Sequence, residues 1–444
     1  DTQDYSYADG APTLALMTQW LVDQKDGLGI QFVTHVGDVT AGASQQMWQN
    51  VTEALSILDG QIPYSLTAGN HDQGAGGSAS DHSTTWMDYY YSPEHQAEVN
   101  DTFGGVYDMA PERAPNNYHT FTSPDGVEWL VLSLEFGPSD DVIRWAKDVI
   151  EDNLDKRVIL TTHAYMNWAG RHDSTGSSLY GEGAGYDYGL GQQAEGTNDG
   201  ETLYRELVKP YGNVTFTFSG HIFGDGAETL ESYDDFGNPV YQMLVNYQNG
   251  VANEIQHGNG GSGAIRLVTI DPENNQAYTS TYFALTDSYL SDDRGETLDR
   301  DGLDGPYRGQ EETLSLDLSA PVLHAIAKAG NDLFVTAEGN GDAQVTLQGA
   351  ALNPGEDAGL HYVWKDADGN VVAEGATPTL ELPAGRHFLT LEVTGSTGAV
   401  SRDAVQVIVA NDSTLLVDSF NDGDARGWGR GSIAVEPVAT HGST

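Results

Sequence analysis

Four apolar segments of this sequence each end in residues that can bind a metal ion. The segments read IQFVTHVGD, IPYSLTAGNHD, RVILTTHAY and VTFTFSGH. The candidate ligands at their ends are Asp38, Asn70, His71, His163 and His221. Carboxylate, carboxamide and imidazole groups form a nitrogen and oxygen ligand set that suits Zn²⁺, Mn²⁺, Fe or Mg²⁺. The sequence therefore predicts a metal site built from several strand ends.

The elements that must position these ligands follow from the alternation of strand and helix patterns. Over residues 1–285, short apolar runs alternate with helical periodicity, which is typical of a layered α/β domain. Ligands of open α/β sheets bind beyond the carboxyl ends of the strands, so four such ends can converge on one point. A glycine precedes Asp38, Asn70 and His221, and we expect it to let the backbone turn sharply there.

The order of these motifs closely resembles that of the calcineurin-like metallophosphoesterases. Asp-Thr-Gln at the start is followed by Gly-Asp, Gly-Asn-His-Asp, Thr-His and Gly-His. The resemblance covers residues 1–285 and implies a four-layer α/β/β/α metallophosphoesterase sandwich that holds two divalent metal ions. Zn, Mn, Fe, Mg and Ca all remain open as the metal. It further implies that Asp38 bridges the two ions, and that Asn70, His163 and His221 complete the site of the second ion.

The site of the first ion departs from the family pattern. The family takes ligands there from an Asp-x-His motif and from the last histidine of Gly-His-x-His, but these positions are Asp1, Gln3 and Phe223 here. Two imidazoles are therefore missing. The chain resembles a branch of the family that reads Asp-Thr-Gln at its start, with the motifs LEFGP and NYQ. We expect the first ion to use Asp1, Gln3 and Asp38 with water, or to recruit Asp225, and oxygen ligands favour Mg²⁺, Mn²⁺ or Ca²⁺.

The resemblance implies a metal-dependent phosphoric ester hydrolase. Phosphate mono- or diesters would be hydrolysed by attack of a metal-bound hydroxide. His71 would stabilise the transition-state charge or protonate the leaving oxygen, and Asp72 would hold the ring of His71. Arg171 and His172 are candidates for substrate binding, although an ordinary surface arginine and an exposed loop histidine are the better explanations.

Three residues near the motifs and one long segment have less specific interpretations. His35 and Glu135, together with Asp72, are candidates for residues that orient the metal ligands. His35 lies within an apolar strand, so a packed core histidine is a slightly better explanation for it. Residues 173–200 are rich in Gly, Ser, Asp and Tyr, which predicts a long surface loop or a lid over the site.

The composition restricts the partners and the compartment. The 444 residues include 19 Lys and Arg against 66 Asp and Glu, a net charge of −47. Such a surface repels duplex nucleic acid and anionic lipid, and it suits a protein kept soluble in salty water. The chain has no cysteine and no apolar run long enough to span a membrane. It begins with Asp1 rather than Met, so we expect a processed or trimmed chain. We also expect a secreted or periplasmic protein.

The second half of the chain predicts further domains. Residues 286–319 read as an acidic linker, and residues 320–410 change to short alternating runs that predict an all-β sandwich. That segment resembles the PKD-like and Ig-like modules of secreted bacterial enzymes. Residues 411–444 read as the start of another β-rich module or a tail. We expect the β module to act as a spacer, and contact with an extracellular polysaccharide or protein is the other interpretation.

The missing imidazoles leave a second function open. A catalytically impaired metallophosphoesterase fold beside β modules could serve as an extracellular binding or matrix protein. The retained His71 argues for the enzyme, because a scaffold has no use for that residue.

Overall fold

The computed structural model describes most of the chain, in two compact units. The described residues are 1–167, 170–173, 188, 190, 196–223, 226–248, 260–290, 312–318, 324–337, 341–352, 359–395 and 398–410. The first unit comprises Asp1–Ile326 with Ala351–Leu360 and Val393–Ser401; the second comprises Ala327–Ala350, His361–Glu392 and Arg402–Thr444. The predicted module at 411–444 lies outside the described residues.

Six α-helices are described, all in the first unit. They are α1 Ala11–Leu28, α2 Gln45–Leu55, α3 Thr85–Tyr90, α4 Pro93–Val99, α5 Asp140–Glu151 and α6 Gly200–Leu203. Their ends follow from local chemistry. Ser44 and Ser139 accept hydrogen bonds from the backbone N–H groups of Met47 and Val142, which caps α2 and α5. None of the described helices is long and apolar enough to cross a membrane.

A mixed seven-stranded sheet forms the centre of the first unit, in the order β10-β11-β9-β6-β5-β4-β3. Its strands are β3 Phe103–Val106, β4 Asn117–Thr122, β5 Glu128–Leu134, β6 Arg157–Thr162, β9 Val214–Ser219, β10 Ala227–Tyr233 and β11 Pro239–Val245. Neighbours in the set β5, β6, β9 and β11 pair in parallel, so their carboxyl ends share one edge. Two short strands, β7 Met166–Asn167 and β8 Gly170–Arg171, form a separate pair.

Two further sheets accompany the large one. Strands β1 Val33–His35 and β2 Tyr64–Leu66 pair in parallel. The strands of the other sheet are β12 Ala264–Asp271, β13 Gln276–Phe283, β14 Ser288–Tyr289 and β15 Thr313–Ser315. Both β14 and β15 lie within the range 286–319 that was predicted as a linker, and both pair with β13. Residues 291–311 of that range lie outside the described residues.

Three apolar cores order these elements into the predicted four-layer α/β/β/α sandwich, which is confirmed. Helices α1 and α2 pack on a core that includes Leu66 of β2 and Tyr282 of β13. A second core lies between the sheets and joins Phe216 of β9 to Ala277 of β13. The third core packs α5 against the outer face of the large sheet, for example at Leu160 of β6. The carboxyl ends of the parallel strands are thereby held in a fixed arrangement.

The second unit is all-β, as predicted. Its region contains β16 Ile326–Lys328, β17 Leu333–Thr336, β18 Ala343–Thr346, β19 Ala350–Leu352, β20 His361–Lys365, β21 Val371–Glu374, β22 Thr379–Leu382, β23 Gly385–Thr394 and β24 Val400–Ala410. Five of these strands form a sheet in the order β17-β24-β23-β20-β21. Trp364 is fully buried, and its indole N–H donates to the carbonyl oxygen of Gly375 at 3.1 Å. A buried tryptophan with a satisfied N–H is a strong anchor for a small β core.

Candidate metal centre

The structure brings Asp38, Asn70, His163 and His221 into direct contact. Asp38, His163 and His221 each offer a ligand atom, and these atoms lie within 4.8 Å of one another. The Oδ1 atom of Asn70 lies 3.0 Å from Nε2 of His163 and 3.0 Å from Nδ1 of His221. Asp38 Oδ1 lies 3.3 Å from His163 Nε2. All four residues follow strands whose carboxyl ends meet, as the sequence predicted.

The protonation pattern around His163 favours a bound cation. Its Nδ1 lies 2.8 Å from the carbonyl oxygen of Val36, which can only accept, so Nδ1 carries a proton. In the neutral ring Nε2 then carries a lone pair, and this lone pair faces Oδ1 of Asp38 and Oδ1 of Asn70. Three electron-pair donors that converge in a buried place need a proton or a metal ion between them. The residues present therefore fit a divalent ion.

The electrostatics of the site keep the ligands in their metal-binding forms. Burial and the neighbouring His163 lower the pKa of His221 to about 3, so its imidazole is neutral. Burial alone would raise the pKa of Asp38, yet the adjacent His163 and His71 hold it well below its usual range. A carboxylate and a neutral imidazole are the forms that coordinate metals.

Two of the ligands have left-handed backbone conformations. Asp38 has φ = 51° and His221 has φ = 67°, although neither is glycine. Left-handed backbone at such residues persists only where the surroundings enforce it, and it clusters at functional sites. The turn after β9 is thus made by His221 itself, whereas Gly37, with φ = 89°, shares the turn after β1 with Asp38, as the sequence predicted.

The glycines before Asn70 and His221 have another role than the predicted turn. A Cβ on Gly69 would lie 2.1 Å from Asp38 Oδ1, and a Cβ on Gly220 would lie 2.0 Å from Asp1 Oδ2. Both distances are far below van der Waals contact. These two positions need glycine because an acidic side chain packs directly against the backbone.

The residues expected at the first ion lie next to this cluster. The backbone N–H of Thr2 donates to the carbonyl oxygen of Asp38 at 3.0 Å, and the N–H of His221 donates to Asp1 Oδ2 at 3.1 Å. Among the described residues, the buried atoms Asp1 Oδ1 and Gln3 Oε1 have no hydrogen-bond partner. Orphaned buried oxygens call for a cation, water or a donor, which fits the expected oxygen-rich site. Asp225 lies outside the described residues, and Phe223 is 46% exposed.

His71 is partly exposed at the edge of the cluster, and its neighbour Asp72 is buried. The Nδ1 atom of His71 lies 3.2 Å from the carbonyl oxygen of Ala41, which places its proton on Nδ1 and leaves Nε2 to exchange a proton. The expectation that Asp72 holds this ring is corrected here, because the Ala41 carbonyl does so. Asp72 instead accepts hydrogen bonds from the backbone N–H groups of Val39, Thr40 and Gly69. It thereby joins the loop of Asp38 to the loop of Asn70.

Arg171 and His172 are held by the protein rather than presented on a surface. Arg171 Nε donates to Glu201 Oε2 at 2.6 Å, and its guanidinium lies 3.8 Å from the ring centre of Tyr204. Its Nη1 also donates to Gln242 Oε1 at 3.2 Å. His172 is fully buried, unlike the exposed loop histidine that was one interpretation of the sequence. Most of the predicted loop 173–200 lies outside the described residues.

Two neighbouring residues complete the wall of the site, and one of them was missed. His35 Nε2 lies 2.9 Å from Thr2 Oγ1, so His35 ties the first residues of the chain to β1. Phe136 is fully buried, with its ring centre 5.8 Å from that of His163 and 5.4 Å from that of His221. The signal for Phe136 was its position directly after a strand, in the motif LEFGP, but an apolar residue there reads as ordinary core.

Comparison with known proteins decides the family. Residues 7–225 match the family model described as calcineurin-like phosphoesterase. This part of the chain belongs to the calcineurin-like phosphoesterases. The chain is also similar to a curated protein of Bacillus subtilis (strain 168), the uncharacterized protein YvnB, with 29% identity over 341 residues. The match covers 75% of this chain and 22% of the relative, so the chain spans less than a quarter of its length.

Solved structures similar to this chain include a purple acid phosphatase and a PKD domain. The purple acid phosphatase PPD1 from yellow lupin (Lupinus luteus) seeds is 10% identical with a TM-score of 0.30, over 91% of this chain and 52% of that one. The PKD1 domain of the Vibrio cholerae metalloprotease PrtV is 20% identical with a TM-score of 0.16, over 20% of this chain and 99% of that one.

Proposed function

We propose that the phosphoesterase domain hydrolyses phosphate mono- or diesters in a metal-dependent reaction. The observation that carries the proposal is the buried convergence of Asp38, Asn70, His163 and His221, in which electron-pair donors face one another. Two divalent ions are proposed, the second held by these four residues and the first by Asp1, Gln3 and Asp38. Bound ions would activate water and neutralise charge on the phosphate oxygens.

The chain's own residues supply positioning and proton transfer. Asn70, the buried His163 and the partly buried His221 would fix the place of one ion, because their hydrogen bonds and the strain at His221 leave little freedom. Ala41 fixes one proton of His71 on Nδ1, so Nε2 would give a proton to the leaving oxygen only from the doubly protonated ring, and the neutral ring would accept a proton there. Asp72 holds the two ligand loops together, and this positions both Asp38 and His71.

Arg171 remains a candidate for substrate binding only if the substrate displaces its present partners. Its ion pair with Glu201 and its hydrogen bond to Gln242 already use much of the guanidinium. We therefore place His71 ahead of Arg171 and His172 as the residue that contacts the substrate. We further propose a secreted or periplasmic location, with the β module as a spacer or as a contact to an extracellular polysaccharide or protein.

One observation favours a second function, a binding or matrix protein with an impaired site. Gln3 and the half-exposed Phe223 stand where the resemblance leads one to expect imidazoles. A first ion held only by oxygen ligands would be weaker, and hydrolysis could be lost with it.

A combined metal and activity measurement separates the two functions. The purified chain is analysed by elemental mass spectrometry and assayed with a chromogenic phosphate monoester and diester, before and after chelation. His221→Ala is compared with His361→Ala, an exposed histidine of the β module. We expect bound metal and restorable hydrolysis in the wild type and in His361→Ala, and loss of both in His221→Ala. Metal-free wild-type protein that stays inactive with Mn²⁺, Zn²⁺, Mg²⁺ or Ca²⁺ would support the binding protein.

A further inference from the structure

A buried charged cluster lies behind the loop that carries Asn70 and His71. Its centre is Glu135, the residue that directly follows β5 and is 2% exposed. Oε1 of Glu135 lies 3.4 Å from Nδ1 of His82, and Oε2 lies 3.7 Å from Nη2 of Arg113. A buried carboxylate is costly unless such partners compensate for its lost hydration. A cluster of this kind so close to a metal site calls for a reason.

The carboxylate of Glu135 is tied to the metal-site loop at both ends of that loop. Gln73, three residues after Asn70, donates from Nε2 to Glu135 Oε2 at 3.1 Å and is itself fully buried. His82 lies near the other end of the loop and faces Oε1 of the same carboxylate. Arg113 contacts Glu135 and also donates to the carbonyl oxygen of His82. The Glu135 side chain thus contacts both ends of the segment from Gln73 to His82.

The backbone of Glu135 connects the same point to a second ligand segment. Its carbonyl oxygen accepts a hydrogen bond from Oγ1 of Thr162 at 3.2 Å, and Thr162 directly precedes His163. The next residue, Phe136, donates its N–H to the carbonyl oxygen of Ala68 and packs its ring against His163. The segments that carry Asn70 and His163 therefore meet at Glu135 and Phe136.

We propose that Glu135 is a positioning residue of the metal centre, which fixes the loop 69–84 so that Asn70 and His163 keep their ligand geometry. Glu135 itself contacts neither substrate nor metal. Partners of this kind that orient ligands typically contribute 10- to 100-fold to metal affinity or activity. The inference rests on the proposed metal site, but its effect on the loop is measurable without any metal.

The test compares Glu135→Gln with Glu206→Gln. Glu206 is a matched control, because it is another glutamate in an ion pair, with Lys147 at 2.6 Å, and it packs near α5 away from the loop. Hydrogen exchange of the metal-free proteins is followed in peptides that span 69–84, and the Kd for Mn²⁺ is measured by calorimetry. We expect Glu135→Gln to speed exchange in 69–84 and to raise the Kd about 10- to 100-fold. Glu206→Gln should change neither quantity.

A second variant covers the case in which Glu135→Gln does not fold. Gln73→Met removes only the link between the loop and the carboxylate and leaves the His82 and Arg113 contacts in place. It should show the same changes with smaller size. The positioning role would be overturned if Glu135→Gln and Gln73→Met had the same exchange rates in 69–84 and the same Kd for Mn²⁺ as Glu206→Gln. A wild type that binds none of Mn²⁺, Zn²⁺, Mg²⁺ and Ca²⁺ while Glu135→Gln still loosens the loop would instead refute the proposed function and leave the role of Glu135 in the loop standing.

Discussion

Replacement of Gly220 by alanine is the sharpest single test of how the site is built. The new Cβ would lie 2.0 Å from Asp1 Oδ2 and 2.9 Å from Cγ2 of Val36. The φ angle of Gly220 is not in the left-handed region, so alanine meets no backbone penalty there and the effect isolates the steric clash. Overpacking of this kind typically costs about 1–3 kcal/mol. Asp1 must move to relieve it, which breaks its hydrogen bond with the N–H of His221.

Thermal unfolding and metal analysis measure both consequences. A loss of about 1 kcal/mol lowers the midpoint by roughly 2–4 °C in domains of 150–250 residues. We therefore expect a drop of at least about 2 °C for Gly220→Ala, by that relation, together with a lower content of bound metal. Gly27→Ala is the control, because a Cβ at that site in α1 would meet only Gln24 Oε1 at 3.8 Å. Alanine should stabilise the helix there, by roughly 0.5–1 kcal/mol.

The reasoning about close approach fails if Gly220→Ala keeps both the wild-type midpoint and the wild-type metal content. An unchanged midpoint would mean that Asp1 can move at no cost. A lower midpoint with full metal content would show that the packing of Asp1 matters for folding and not for the ions.

Three further outcomes are expected. Phe136→Ala removes a fully buried ring beside His163 and His221 and should lower the free energy of unfolding by about 3–5 kcal/mol, measured by urea unfolding. A decrease as small as that of a surface substitution would contradict the close packing of this ring. Burial alone would raise the pKa of Glu206, but Lys147 lowers it below the usual value, so its stabilisation is present above the unfolded pKa and is lost as pH falls through the folded pKa. The midpoint of Glu206→Gln should therefore fall less on acidification, and equal slopes for both proteins would exclude this contribution. With a net charge of −47, the midpoint should rise on addition of NaCl, because salt screens the self-repulsion; a flat response would show that repulsion is minor.

The sequence was informative where chemistry and strand pattern coincide. Asp38, Asn70, His163 and His221 each follow an apolar run, and the carboxyl ends of two parallel pairs, β1 with β2 and β6 with β9, bring them together. Hydrophobic periodicity and ligand type were sufficient to predict these four residues, because both are local properties of the chain. The fold class followed for the same reason.

The errors and omissions concern contacts that only the tertiary structure defines. Asp72 was expected to hold the ring of His71, whereas it binds backbone N–H groups from a loop more than 30 residues away. The need for glycine at position 220 comes from Asp1, at the opposite end of the domain in sequence. No local pattern in a single sequence shows which distant side chain will pack against a given backbone segment.

The geometry of His163 suits either a proton or a metal ion at Nε2. Its Nδ1 proton is fixed by the Val36 carbonyl, so Nε2 must either accept a proton or donate its lone pair to a metal. With a proton, Nε2 donates to Asn70 Oδ1 at 3.0 Å and faces the Asp38 carboxylate. An ion bound there would take the same three atoms as ligands in place of the proton. Because these atoms already converge without an ion, binding would need little rearrangement of the four strand ends.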